Sequence, residues 1–282
     1  MSNIMPGDSP NKKSKKKVRS NKPENSELEK SNKKAKNESV SAPKSESERP
    51  SAEEIKMERE LTNQEILNNI TKNATYHSKP IAIMTMGIPG SGKTTLVQKF
   101  INENLHKIFP KKTVTDKYSV SEFVNCNPDD ILPYISEPDN KKRLAIASKK
   151  NGALIKKIRE SELKYSMIYD GTGSNLASYK GNINKYIENG YTILLIYIMT
   201  NPLVAKNRIG KRSRKVSKTK VNTIFKALEN RYPKGHALNG KNLYEYYSEL
   251  VSKRGGYHIR IDNTFKPKVI DGNLPKSLLI KI

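Results

Sequence analysis

Residues 87–94 read GIPGSGKT, and this segment restricts the possible folds of the chain more than any other. It satisfies G-x-x-x-x-G-K-[ST], the pattern of a phosphate-binding loop. Residues 81–86, IAIMTM, form a short apolar run that ends at glycine and suits a buried parallel strand. From Lys93 to about Lys107, Leu96, Val97, Phe100, Ile101 and Leu105 recur at helical spacing. In a strand–loop–helix unit of this kind, the glycines let successive N–H groups turn inward as an anion nest. The helix adds its positive N-terminal end. Lys93 can reach β- and γ-phosphates, and the Thr94 hydroxyl can ligate Mg²⁺. Gly87, Ile88, Pro89, Gly90, Ser91, Gly92, Lys93, Thr94 and Thr95 are therefore the candidate nucleotide site, with ATP and Mg²⁺ as the expected ligands. The competing reading is a glycine-rich turn that binds nothing.

Further strands are expected at residues 122–126, 165–169, 191–199 and 256–261. The fourth, YTILLIYIM, is apolar throughout and so central. Helical patterns separate them, at residues 139–163, 175–188 with Gly190 as a C-terminal cap, from Asn201-Pro202 onward, 221–230 and 243–253. Alternation of this kind predicts an α/β fold, here a P-loop NTPase three-layer sandwich with a mostly parallel five-stranded sheet. The second strand is expected to lie close to the first.

Residues 1–60 are rich in Ser, Asn, Lys, Glu and Pro and nearly free of apolar side chains, which predicts a disordered tail. Thr62 with Glu65 fits a capping box and marks the expected start of order. The P-loop domain is expected over 61–265, followed by a C-terminal extension, 266–282, in which no period is visible.

In parallel sheets of this class, ligands bind at the carboxyl ends of the strands. The second strand runs into Asn127-Pro128-Asp129-Asp130. A kinase acting on a hydroxyl needs a carboxylate to orient and deprotonate it, so Asp129 or Asp130 is a candidate base. Either could instead cap the turn that follows. The third strand runs into Asp170-Gly171-Thr172-Gly173-Ser174. Asp170 can hold the magnesium shell, or it can bind the acceptor. After the fourth strand comes KNRIGKRSRKVSK, with Arg208, Arg212 and Arg214. Arginines on a closing segment can neutralise charge on the transferring phosphoryl group. The same stretch also suits a solvated helix face or a nucleic-acid patch.

Charge bears on the partner. Residues 61–282 carry 38 basic and 17 acidic side chains, a net of +21. Such a surface attracts polyanions, so nucleic acid is a possible partner. General abundance of Lys and Asn accounts for it equally well. In the tail, KKSKKKVR at residues 12–19 can act as a nuclear-import or nucleic-acid tag, or be a solvated basic run. Cys126 is the only cysteine, which excludes an intrachain disulfide and makes the reducing cytoplasm the default compartment. The longest apolar run, 191–199, is too short to span a bilayer, and the N-terminus has no signal-like apolar region.

The order of these segments resembles that of the P-loop kinase group containing zeta toxins and polynucleotide kinases. FVNCNPDDI is similar to the VNADEI stretch of zeta-toxin-like kinases, and Asp170-Gly171-Thr172 to their Glu-Gly-Thr. The stretch with Arg208 and Arg214 resembles their phosphate-clamping segment, and Ile261-Asp262-Asn263 the DN that closes their last core strand. The resemblance covers about residues 81–264. It implies transfer of the γ-phosphoryl of ATP to a hydroxyl of a UDP-amino sugar. Lys93 and Thr94 would hold ATP and Mg²⁺, and Asp129 would be the base. Asp170 and Thr172 would bind the acceptor, and Arg208 and Arg214 would stabilise the transferred group. A polynucleotide 5′-kinase is the alternative enzyme, and a non-catalytic nucleotide-binding module that recruits nucleic acid is the alternative from another class.

Overall fold

The computed structural model describes residues 52–111, 117–211, 216–275 and 278. The expected tail up to residue 51, with its basic cluster at residues 12–19, lies outside the described residues. The chain divides into two units, Met1–Arg49 and Pro50–Ile282, and every described residue belongs to the second.

The element order is α1 (Ala52–Thr71), β1 (Ile81–Met86), α2 (Lys93–Asn104), β2 (Val124–Asn125), α3 (Asn140–Glu160), β3 (Met167–Tyr169), α4 (Leu176–Glu188), β4 (Thr192–Met199), α5 (Pro202–Gly210), α6 (Lys218–Glu229), α7 (Leu243–Ser252), β5 (Tyr257–Asp262) and β6 (Lys268–Gly272). The strands form one six-stranded sheet in the order β2-β3-β1-β4-β5-β6. All neighbours are parallel except β5 and β6. The fold class is thus the expected α/β sandwich. β1 and β4, apolar and buried, occupy the centre.

Alternation along the strands sorts side chains onto two faces. Ile81 and Ile83 of β1 with Leu194, Ile196 and Ile198 of β4 pack against Leu96, Val97, Phe100 and Ile101 of α2. Ala82, Met84 and Met86 with Ile193, Leu195 and Tyr197 pack against the opposite layer, which includes α4, α6 and α7. Both cores are continuous because every central residue of β1 and β4 is apolar or, like Thr85, internally bonded.

Four expectations need correction. The sheet has six strands, not five. β6 falls in the expected C-terminal extension, as an edge strand of sequence KVIDG with no apolar run to betray it. Leu274 and Leu278 beyond it are buried in the α2-side core. The first helix starts at Ala52, and Thr62 lies inside it, because residues 52–61 are rich in strong helix formers that carry the helix through the apparent cap. β2 is only two residues long and pairs Val124 with Met167 and Asn125 with Ile168. Finally, β3 separates β2 from β1. The inner place goes to the strand with buried Met167 and Ile168, while exposed Asn125 suits an edge.

The caps follow the sequence closely. Asp139 Oδ1 accepts from Lys141 N at 2.8 Å and Lys142 N at 2.9 Å to start α3. Asn175 and Asn201 cap α4 and α5 in the same manner, the latter with Pro202 in the first turn. No described helix is long and apolar enough to cross a membrane.

Candidate functional site

β1 turns directly into the loop 87–94. Gly92 has φ +87°, a left-handed conformation, and a Cβ there would stand 2.5 Å from Asn263 Nδ2. The positive φ favours glycine, and a side chain there would push Asn263 off the loop. Gly92 is also the N-cap of α2 and supplies no side-chain cap, so the first N–H groups of the helix are presented to the loop. Lys93 Nζ folds back over the loop, donating to Gly87 O at 3.1 Å and Ile88 O at 3.4 Å. This cradle suits phosphate.

The loop is braced from the β4–β5 side. Asn263 Nδ2 donates to Ser91 O at 2.7 Å, and Thr200 Oγ1 donates to the same oxygen at 3.2 Å. Two buried polar atoms there lack a hydrogen-bond partner, Ser91 Oγ and Arg208 Nη1. Arg208 Nη1 is 4.0 Å from the position of a Gly92 Cβ, while its Nη2 donates to Thr264 O at 3.4 Å. An unpartnered guanidinium nitrogen beside the loop fits an anionic ligand.

The third strand end is tied to the first. Thr85 Oγ1 donates to Asp170 Oδ1 at 2.7 Å and accepts from Gly171 N at 3.1 Å. Gly87 N donates to Thr172 O at 3.1 Å. Two buried tyrosines lock the arrangement from the helical layer. Tyr179 OH donates to Thr85 O at 2.8 Å and Tyr247 OH to Gly173 O at 3.2 Å. Burial raises both phenol pKa values, so both remain donors across the neutral range.

These segments converge on a cavity of about 850 Å³. Pro89, Lys93 and Thr94 line it from the loop, Asp129 from the second strand end, and Asp170, Gly171 and Thr172 from the third. Leu144 and Ser148 of α3 and Ile209 of α5 complete the wall with Val216, Lys220 and Ile224. Thr94 and Asp170 also share a smaller nook with Thr85, Gln98, Asn125 and Asn127. A hydroxyl and a carboxylate on one wall are the hard oxygen donors that Mg²⁺ takes, with the remaining positions left to phosphate and water.

The two carboxylates of the second strand end part company. Asn127, not either aspartate, caps the turn, its Oδ1 accepting from Asp129 N at 3.0 Å. Asp129 faces the cavity. Asp130 accepts from Asn125 Nδ2 at 3.0 Å. Packing of the Asp130 carboxyl against protein, and then the Asp129 charge beside it, push its pKa up. Cys126 just before them is buried, and burial pushes its thiol up to about 12, so it is no nucleophile at neutral pH. Arg208 lies on the β4–β5 side of the loop rather than in the cavity wall. Arg212 and Arg214 lie outside the described residues.

Sequence reading missed Thr85, Tyr179 and Tyr247 and gave Asn263 no role. Thr85 had a signal: it is the one polar residue in the otherwise apolar β1. Thr85→Val preserves shape and removes the hydroxyl contacts to Asp170 and Gly171. It should destabilise the protein by about 0.5–1.5 kcal/mol, the usual net worth of an intramolecular hydrogen bond, because the exposed Asp170 carboxylate can turn to water instead. Urea unfolding measures this, and unchanged stability would show that Asp170 and Gly171 re-pair locally.

An open, mostly parallel sheet with an intact phosphate loop, facing carboxylates at neighbouring strand ends, defines a P-loop nucleotide-binding protein of the kinase type. Residues 64–236 match the Zeta toxin family, and the chain belongs to it. Among solved structures it is similar to one from the PezAT chromosomal toxin–antitoxin system of Streptococcus pneumoniae. The two are 17% identical over 77% of this chain and 80% of that one, with a TM-score of 0.50. It is also similar to the AvrRxo1-ORF1:ORF2 complex with ATP, at 12% identity over 76% of this chain and 66% of that one, TM-score 0.46. A gluconokinase from Sinorhizobium meliloti shares 15% identity over 64% of this chain and 94% of that one, TM-score 0.30. No curated protein is matched by the sequence.

Proposed function

We propose that the protein is an ATP- and Mg²⁺-dependent kinase that transfers the γ-phosphoryl group of ATP to a hydroxyl of a small acceptor such as a UDP-amino sugar. The carrying observation is the single cavity in which Lys93 and Thr94 meet Asp129, Asp170 and Thr172. Its volume of about 850 Å³ suits a small molecule. Asp129 takes the proton of the acceptor hydroxyl as that oxygen bonds to the γ-phosphorus and the bond to the β-phosphate bridging oxygen breaks, releasing ADP. Lys93 and the loop N–H groups hold the phosphates in line, and Asp170 and Thr172 orient the acceptor. Bound magnesium would supply charge neutralisation on the β- and γ-oxygens, held by Thr94 and Asp170.

One observation favours a polynucleotide acceptor instead. α3 borders the cavity through Leu144 and Ser148, and it exposes Lys141, Lys142, Lys149, Lys156 and Lys157. Incubation with labelled ATP and a panel of UDP-amino sugars and 5′-hydroxyl oligonucleotides decides between the two. Label on the sugar is the expected result. Label on oligonucleotide ends selects the alternative, and nucleotide binding with no transfer to any acceptor overturns the kinase reading.

A further inference from the structure

Seven large apolar side chains are exposed among the described residues, and four of them, Met57, Tyr76, Ile146 and Leu163, line one groove. It follows the seam between α1 and α3 as two adjoining hollows of about 790 and 440 Å³, which share Gln64 and Lys157. Isolated exposed apolar residues are ordinary. A cluster of them in one polar-rimmed groove marks a surface built to be covered.

Helical spacing builds the groove. Ile146, Lys149, Ala153 and Lys157 share one face of α3, and Met57, Gln64, Asn68 and Thr71 share one face of α1. Beneath them, Ile66 of α1 joins Ala147 and Leu154 of α3 in a small core. At one end Tyr76 and Tyr165 stand with ring centroids 4.3 Å apart and hydroxyls 2.6 Å apart. Leu144 and Ser148, which border the cavity at the phosphate loop, lie on the other face of α3, and the groove shares no lining residue with that cavity.

Length and charge define the occupant. The α1 wall from Met57 to Thr71 is about 21 Å long at ~1.5 Å per residue, enough for a partner helix of about 14 residues. A helix laid between two others meets both through a single apolar stripe. The larger hollow is lined by Lys149, Lys150 and Lys157 with no carboxylate, while Glu162 lines the smaller one. We propose that this groove docks an acidic amphipathic helix of another protein, with its apolar stripe over Met57, Ile146 and Leu163 and its carboxylates against Lys149 and Lys157. A polynucleotide answers the lysines but not the aliphatic side chains between them. A second copy of the chain brings more positive charge to a basic face, since residues 61–282 carry a net of +21. The inference is independent of the kinase reading.

Fluorescence anisotropy of the full chain tests it with three labelled probes. The first is a synthetic helix of Leu, Ala and Glu, with leucines on one face and glutamates on its flanks. The second is a scrambled peptide of the same composition, and the third is oligothymidylate. The helix should bind saturably, and the scrambled peptide at least roughly 10-fold more weakly, because only the helix presents a stripe. Lys149→Glu with Lys157→Glu should weaken the helix by roughly 10-fold or more and flatten its salt dependence. Ile146→Ser with Leu163→Ser should weaken it similarly while keeping the salt dependence, and Leu203→Ser, outside the groove, should change nothing. All these side chains are exposed, and an unchanged thermal melt verifies each variant's fold. No saturable binding of the helix, or equal binding of helix and scrambled peptide, overturns the proposal. Tighter binding of oligothymidylate that the lysine reversals abolish assigns the groove to nucleic acid instead. A wild-type dimer in sedimentation that Ile146→Ser dissociates assigns it to a second copy, and either result overturns the proposal.

Discussion

Asp129→Asn is expected to leave ATP binding nearly intact while lowering phosphoryl transfer by roughly 10²–10⁴-fold, the range for loss of a general base. Asp129 lines the cavity together with Lys93, Thr94 and Asp170, so a hydroxyl placed against the γ-phosphate meets its carboxylate. Asn keeps the size and can still accept a hydrogen bond, but it cannot take a proton at neutral pH. Asp130→Asn is the control. The amide oxygen can still accept from Asn125 Nδ2, and transfer should continue. Stability should hold or rise slightly at neutral pH. Because the folded-state pKa of Asp130 is raised, its contribution is fully present below the unfolded value and is lost as pH rises through the folded value. At pH 7 its charge is therefore a small cost, screened by solvent, that the substitution removes. Loss of transfer in Asp130→Asn with full activity in Asp129→Asn would exchange the two roles. Normal transfer in both would eliminate a carboxylate base.

Lys93→Ala should abolish transfer and strongly weaken ATP binding. The ammonium is held over the loop by Gly87 O and Ile88 O, at the cavity end of the phosphate cradle. Removing one preorganised positive charge from a phosphoryl-transfer site commonly costs about 10²–10³-fold in rate, and here the same group also binds the ground state. Nucleotide titration and single-turnover transfer read both effects, and an unchanged thermal melt establishes that the fold persists. Wild-type turnover in Lys93→Ala would place the phosphate site elsewhere.

The two substitutions probe residues of different legibility. Lys93 was visible because its loop is written in consecutive residues: an apolar run, spaced glycines, a lysine and a threonine, then a helical period. Asp129 and Asp130 were visible as a pair but not as individuals, and the alternative reading, in which either caps the turn, gives way to Asn127, which does so. The difference between them depends on where Asn125 sits on the edge strand. Thr85 was legible only as an anomaly in an apolar strand, since its partners Asp170 and Gly171 are more than eighty residues away.

The sequence by itself determined the elements whose causes are local. The strand Ile81–Met86, the loop after it, the caps at Asp139, Asn175 and Asn201 and the turn at Gly190 all follow from backbone and side-chain geometry within a few residues. Tertiary structure alone decided what depends on competition for neighbours. It put β3 rather than β2 beside β1, because the inner position rewards the strand with more apolar surface to bury. It recruited Lys268–Gly272 as a sixth strand, because an edge needs backbone partners more than an apolar pattern. It also brought Asn263 against the loop at Ser91, a contact across 172 residues that no short-range pattern encodes. Local signals fixed which groups the chain could offer, and long-range burial and pairing fixed which of them face one another.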